Sequence, residues 1–227
     1  MYLMMPSYWL FILPALILAV IATWVTQTTF ARYSRVRARS GLTGAEAAQA
    51  LLRSQGIYDV RIERVSGFLT DHYDPFRNVL RLSPDVYDSD SLAAIGVACH
   101  EAGHALQKAT AYAPLSVRTN LVPVTQIGSQ LAFPVILAGL VLQRPGLFTL
   151  GIWMFVAVVI FTLITLPVEW NASRRAKQLM VAAGIVTPQE LPHAAAVLNA
   201  AFLTYVASAV SAVMTLLYYL SLGSRRR

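Results

Sequence analysis

Two histidines four residues apart, with a glutamate directly after the first, are the residues of this chain best suited to chemistry: His100-Glu101-Ala102-Gly103-His104. On a helix, side chains at i and i+4 lie one above the other, so His100 and His104 can offer two imidazole nitrogens to one metal ion. Glu101, one place on, can reach a water held there and act as a general base. Two nitrogen ligands beside a base form the H-E-x-x-H arrangement of zinc-dependent hydrolysis. With only four histidines in the chain, chance should produce this string in roughly one of several hundred sequences of such composition.

The motif needs a helix, and its neighbours supply one. Ala93, Ala94, Ile95, Val97, Ala98, Ala105 and Leu106 are apolar and helix-compatible, Asp90 or Ser91 can cap the start, and Pro114 lies just past the end. A catalytic zinc takes three protein ligands and keeps one position open. His72, His193 and the acidic residues are the pool for the third. Glu169 stands out, because it follows Leu166-Pro167-Val168 at the end of an apolar run, where a carboxylate needs a partner. Small Ala172 shares its helical face and would allow two metal-bearing helices to approach closely. The plainer alternative pairs Glu169 with Arg174 or Arg175 at little gain in stability. His72 lies among turn formers that can simply organise a loop, and His193 reads as a linker residue. Cys99 neighbours His100, but adjacent helix positions point about 100° apart, so it reads as a small packed hydrophobe. A single cysteine also excludes an internal disulfide.

The elements that must position these residues are mostly apolar. The chain has 227 residues, 56% hydrophobic and 13% charged, against roughly 25% charged in soluble domains. Charge is missing from Met1 to Ala31, Thr119 to Gln143, Pro145 to Val168 and Leu191 to Ser224. Each gap can cross about 30 Å of hydrocarbon. Spans are expected near Tyr8–Val25, Leu121–Leu142, Leu147–Val168 and Ala200–Leu220, the middle two forming a hairpin through Gln143-Arg144-Pro145-Gly146. Ser208, Ser211 and Thr215 dilute the last, which competes with a buried amphipathic helix. The first reads as a retained anchor, since no positive residue precedes it and its apolar run is long for a signal.

Net charge is +7 with a pI near 9.9, yet the distribution argues against nucleic acid as a partner. Of 18 basic residues, eleven lie between Arg32 and Arg118 and three between Arg174 and Lys177, clusters that the positive-inside rule expects at a cytoplasmic face. The hairpin turn holds only Arg144. The tail Arg225-Arg226-Arg227 breaks the rule if all four segments span, and obeys it if the fourth is re-entrant or interfacial. Two spans separate His104 from Glu169, so both return to the same side.

Between Arg32 and Arg118 lies the one long stretch able to fold in water. Thr43-Gly44-Ala45-Glu46 has capping-box form before an apolar helix that Gly56 stops. Asp59–Glu63 and Asn78–Ser83 read as strands, and Leu69-Thr70-Asp71-His72-Tyr73-Asp74-Pro75 as the turn between them. Zinc peptidases commonly lay substrate along an edge strand beside the metal helix, and Val79–Leu82 is the expected edge.

Four strings, Ser40–Gly44, Leu69–Pro75, Ala98-Cys99-His100-Glu101-Ala102-Gly103-His104-Ala105-Leu106-Gln107 and Leu166-Pro167-Val168-Glu169-Trp170-Asn171-Ala172-Ser173, resemble the YugP-like family of bacterial membrane-embedded neutral zinc metallopeptidases over nearly the whole chain. H-Y-D-P and P-V-E…A-S are more specific than the peptidase motif alone. The resemblance implies Zn2+ held by His100, His104 and Glu169, with Glu101 catalytic. More distantly, H-E-x-x-H followed by E-x-x-A resembles membrane gluzincins that trim prenylated or misfolded membrane proteins. Those often carry Asp after that Ala, to orient a ligand histidine through its other ring nitrogen; Ser173 stands here and would accept such a bond more weakly.

The expected protein is therefore a mainly α-helical integral membrane protein of about four spans with a small α+β, zincin-like catalytic portion. Its parts are a membrane anchor (1–31), a soluble segment with the motif helix (32–118), a transmembrane hairpin (119–168), a third-ligand helix and linker (169–199), and a fourth transmembrane segment with a basic tail (200–227). The expected function is zinc-dependent endopeptidase at the cytoplasmic face of the bacterial inner membrane, with protein or peptide substrates, membrane proteins among them. His72, Tyr73 and His193 are the candidates for an oxyanion partner. The alternative is a catalytically silent zinc-binding scaffold or partner-binding protein, but a structural site needs no general base. Zinc transport would want ligands at mid-membrane, where the apolar gaps hold no acidic residue.

Overall fold

The computed structural model describes residues 6–68 and 70–224. Leu69 of the turn string, the first five residues of the anchor and the tail Arg225–Arg227 lie outside the described residues. Ten elements follow in order: α1 (Pro6–Tyr33), α2 (Gly44–Ser54), β1 (Arg61–Arg64), β2 (His72–Asp74), β3 (Val79–Leu82), α3 (Pro84–Tyr87), α4 (Leu92–Ala109), α5 (Ala113–Val141), α6 (Pro145–Ala182) and α7 (Leu191–Ser224).

Four of these helices, α1, α5, α6 and α7, are long and apolar enough to cross a membrane. The protein is mainly helical and membrane-embedded with a small α+β portion, as its composition predicts. The helices outrun the charge-free gaps because nothing obliges a helix to stop where hydrocarbon stops. α6 spans 38 residues, well beyond the ~20 needed, and carries Glu169, Arg174, Arg175 and Lys177 in its final turns. The serines and threonine of the last segment do not interrupt it, since α7 runs unbroken for 34 residues. Leu10, Ile17, Val20 and Trp24 on α1, Ile127 and Phe133 on α5, and Leu150 and Trp153 on α6 are exposed. Such rows suit a hydrocarbon solvent rather than water.

The chain divides into two compact units. One holds the described residues of Met1–Thr23, Ser116–Pro167 and Thr204–Arg227. Its buried cluster is Ile136 and Leu140 of α5, Phe148 of α6, and Tyr218 and Leu222 of α7. Tyr8 packs edge-on against Tyr218, with ring centroids 5.1 Å apart. The hairpin turn is tighter than expected: Pro145 already opens α6, where its missing N–H costs nothing.

The other unit comprises Trp24–Leu115 and Val168–Leu203. Here Thr43 forms the expected capping box, accepting from the Glu46 amide while the Glu46 carboxylate accepts from the Thr43 amide. α2 then packs Ala47, Ala48, Leu51 and Leu52 inward, and Gly56 leaves the helix at φ +72°. Of the two candidate caps of α4, Ser91 accepts from the Ala94 amide at 3.2 Å.

Two expectations about the sheet need correction. His72–Asp74, read as part of a turn, is strand β2, antiparallel to β3 with Tyr73 opposite Leu80. It is the first arm of a short hairpin with β3, and its turn-forming composition hid it. The turn itself sits later, where Asp74 Oδ1 accepts from the Phe76 and Arg77 amides and Asn78 takes φ 56°. β3, expected at the edge, is central: the order is β1-β3-β2, with β1 parallel to β3. Val79, Leu80 and Leu82 are fully buried, which suits a strand flanked on both sides. β2 is an edge instead.

Glu190 ties this unit together. Its carboxylate accepts from the Thr187 amide at 2.9 Å and from the Arg39 amide at 2.8 Å, joining the chain after α1 to the start of α7. Burial works against the charge, but the amides of Thr187 and Arg39 prevail and hold the carboxyl below its ordinary value of 4.5. A depressed folded value gives stability that is fully present above the unfolded value and is lost as pH falls through the folded one. Glu190→Gln should therefore lower the thermal midpoint at neutral pH and flatten its fall on acidification below about 4.5. Thermal unfolding of the detergent-solubilised protein across that range checks this, and parallel profiles would contradict it.

Candidate metal centre

α4 presents His100 and His104 one turn apart, with ring centroids at 4.9 Å and planes at 83°. Both Nε2 atoms face one carboxylate oxygen on α6: Glu169 Oε2 lies 3.1 Å from His100 and 3.5 Å from His104. One ligand atom from each of the three residues can be chosen so that all lie within 4.8 Å of one another. Glu169 is 1% exposed. Two imidazole nitrogens and one carboxylate oxygen are the donor set of a three-ligand zinc site with a position left open, so these residues fit the metal. Glu169 faces the histidines; Arg175, its sequence-level rival, sends Nε to Asn171 Oδ1 at 2.8 Å instead.

The approach of α4 to α6 depends on two small residues. A Cβ on Gly103 would lie 2.7 Å from the Ala172 carbonyl oxygen, and Ala172 is itself fully buried. The expectation for Ala172 holds, and Gly103, the variable position inside the motif, matters as much.

The far side of each imidazole is also engaged. Ser173 Oγ is 3.0 Å from His100 Nδ1, where the gluzincin pattern has Asp. Gln107 Oε1 is 2.9 Å from His104 Nδ1. Sequence reasoning quoted Gln107 but assigned it nothing; its i+3 spacing from His104 was the available signal.

Glu101 is half-buried, and its Oε2 accepts from the Tyr73 amide of β2 at 3.0 Å. Burial pushes its carboxyl up, His100 and His104 pull it down, and Glu169 and Asp71 push it up again, with a net rise. The donor to Glu101 is a strand amide, which no reading of side chains could find. Asp71 is also raised by burial, against the bonds it accepts from the Ser83 amide and hydroxyl.

The remaining candidates lie outside the cluster. His72 is exposed, with Nδ1 2.8 Å from the Thr70 carbonyl. His193 is exposed and stacks on Tyr33, with centroids 5.2 Å apart. The Tyr73 hydroxyl donates to Asn78 Oδ1, and burial raises its phenol to about 12, so it stays a neutral donor. Cys99 is fully buried in the core, where desolvation pushes its thiol up, in keeping with a packed hydrophobe.

Three comparisons bear on this centre. A family described as "Putative neutral zinc metallopeptidase" matches residues 8–224. "Putative membrane protease YugP" of Bacillus subtilis (strain 168) is 48% identical over 198 residues, 87% of this chain and 88% of the relative. No solved structure matches the chain.

Gly103→Ala should lower stability by about 1–3 kcal/mol, the range for overpacking, and should weaken zinc uptake by forcing α4 from α6. Thermal unfolding and metal analysis of the purified variant check this; an unchanged midpoint with full zinc would show that the contact can relax.

Proposed function

Because this chain belongs to the neutral zinc metallopeptidase family, we propose that it is a membrane-bound zinc endopeptidase of gluzincin type. In this reading His100, His104 and Glu169 hold the Zn2+ and Glu101 is the catalytic base. The observation that carries it is the convergence of two Nε2 atoms on one buried carboxylate oxygen, with a second glutamate adjacent on the motif helix.

When bound, zinc supplies Lewis acidity toward the scissile carbonyl and toward water. Glu101 takes the proton from the attacking water and delivers it to the leaving amine. The Tyr73 amide, donating to Oε2, fixes where that carboxylate stands. A purely structural zinc site has no use for a glutamate so held, which favours the enzyme over the silent scaffold.

Substrates are protein or peptide chains, and the B. subtilis relative carries the name of a membrane protease. The fourteen basic residues flanking the centre in sequence, eleven between Arg32 and Arg118 and three between Arg174 and Lys177, support a cytoplasmic face in the bacterial inner membrane.

Glu101→Gln should keep its zinc and lose cleavage of an unfolded test protein by at least about a hundredfold. Equal activity would sink the mechanism. Glu169→Ala and His100→Ala should each lose most bound zinc, whereas His193→Ala should not; full zinc in Glu169→Ala would move the third ligand elsewhere.

Sidedness has its own test. Cysteines introduced at Arg35 and Lys177 in a Cys99→Ser background should both be protected from a membrane-impermeant thiol reagent on intact cells. Labelling of both would turn the centre outward, and labelling of one alone would break the Glu169 assignment.

A further inference from the structure

Gln107 is fully buried and sits one turn beyond His104 on α4. Its amide nitrogen faces two acceptors on α6, the Val168 carbonyl at 2.8 Å and Asn171 Oδ1 at 3.0 Å. Asn171 Oδ1 also accepts from Arg175 Nε at 2.8 Å. Arg175 lies over the Tyr112 ring, 5.9 Å from its centroid.

The direction of this chain of bonds is not free. A guanidinium keeps its protons and only donates. Asn171 must therefore turn its oxygen toward Arg175, and that oxygen demands a donor rather than an acceptor from Gln107. The Val168 carbonyl makes the same demand independently. With its nitrogen committed twice, Gln107 can turn only its oxygen to His104, at 2.9 Å. A carbonyl oxygen only accepts, so His104 Nδ1 must carry the hydrogen. In a neutral ring that leaves Nε2 as a bare lone pair, on the side facing Glu169. His100 is under no such compulsion, because Ser173 offers a hydroxyl that can donate or accept.

We infer that Gln107 is the positioning residue of this centre: its carboxamide oxygen holds His104 as the Nδ1–H tautomer with the Nε2 lone pair turned toward the metal position, and Arg175 and Val168 dictate that orientation. The inference rests on the proposed role of His104 as a ligand. It also gives the two halves of the carboxamide separate jobs. The oxygen sets the imidazole, and the nitrogen joins α4 to α6.

The halves can be separated in the full-length, detergent-purified protein by measuring zinc affinity against a competing chelator. Gln107→Met removes both halves and should weaken zinc binding about ten- to a hundredfold. Gln107→Glu keeps an acceptor for Nδ1–H while losing both donated bonds, and should stay within about threefold of wild type. Equal losses in the two variants would assign Gln107 a merely structural role, and no loss in either would assign it none; each overturns the inference. Should the variants fold poorly, NMR of the His104 ring nitrogens in zinc-loaded wild-type protein decides the matter. Hydrogen on Nδ1 and metal on Nε2 is expected, and the reverse overturns the inference. Wild-type protein that takes up no zinc would instead overturn the metal-centre reading beneath it.

Discussion

A carboxylate with 1% of its surface exposed can stay charged only beside cations or strong donors, because burying it alone costs far more than a domain this size can bear. In the proposed site Glu169 would meet that requirement through the Zn2+ it shares with His100 and His104 of α4, and much of the surrounding packing follows. α4 and α6 must approach until backbone nearly touches side chain, which leaves no room for a Cβ at Gly103 against Ala172. Their facing polar groups must then be satisfied internally, and Ser173, Gln107 and Asn171 do so. Small residues and buried amides at this contact are consequences of one ionisable pair of elements, not separate features.

The sheet reaches the same centre through its backbone. β2 has three residues and, among the described residues, pairs with β3 alone, which leaves its outer edge open to other partners. The Tyr73 amide points that way and meets Glu101. Displacing β2 would therefore move the proposed base, so hairpin geometry and proton transfer are linked. Asp74, Arg81 and Glu63 brace that hairpin, with Arg81 3.0 Å from Asp74 and 3.5 Å from Glu63. Lys108, at the end of α4, donates to the Pro75 carbonyl and fixes the turn to the metal helix.

The stability of this unit cannot come from its strands, which total eleven residues. It comes from burying α2 and α4 against the late turns of α6, the connection after it and the early turns of α7, where Met180, Ile185, Val197 and Leu198 join Leu51, Leu80 and Ile95 in one core. Segments distant in sequence must be held while that core forms. The carboxylate of Glu190, shared between Thr187 and Arg39, is one such tie.

The sequence by itself determined whatever depends on local spacing or on the solvent a segment must meet. Charge-free runs announced four helices, since a backbone in hydrocarbon must satisfy its own hydrogen bonds. The four-residue step put His100 and His104 on one face, and Thr43-Gly44-Ala45-Glu46 fixed the start of α2. Glu169 was legible because a lone carboxylate at the end of an apolar run needs a partner. Tertiary structure alone decided what depends on pairing across the chain. β2 passed for a turn, and β3 for an edge, because strand order follows from contacts that composition does not encode. Gln107 passed without a role because its meaning lies in Val168 and Asn171, sixty-one and sixty-four residues away. The Tyr73 amide could not be found at all, since every residue but proline carries the same donor and only the fold decides which one faces Glu101.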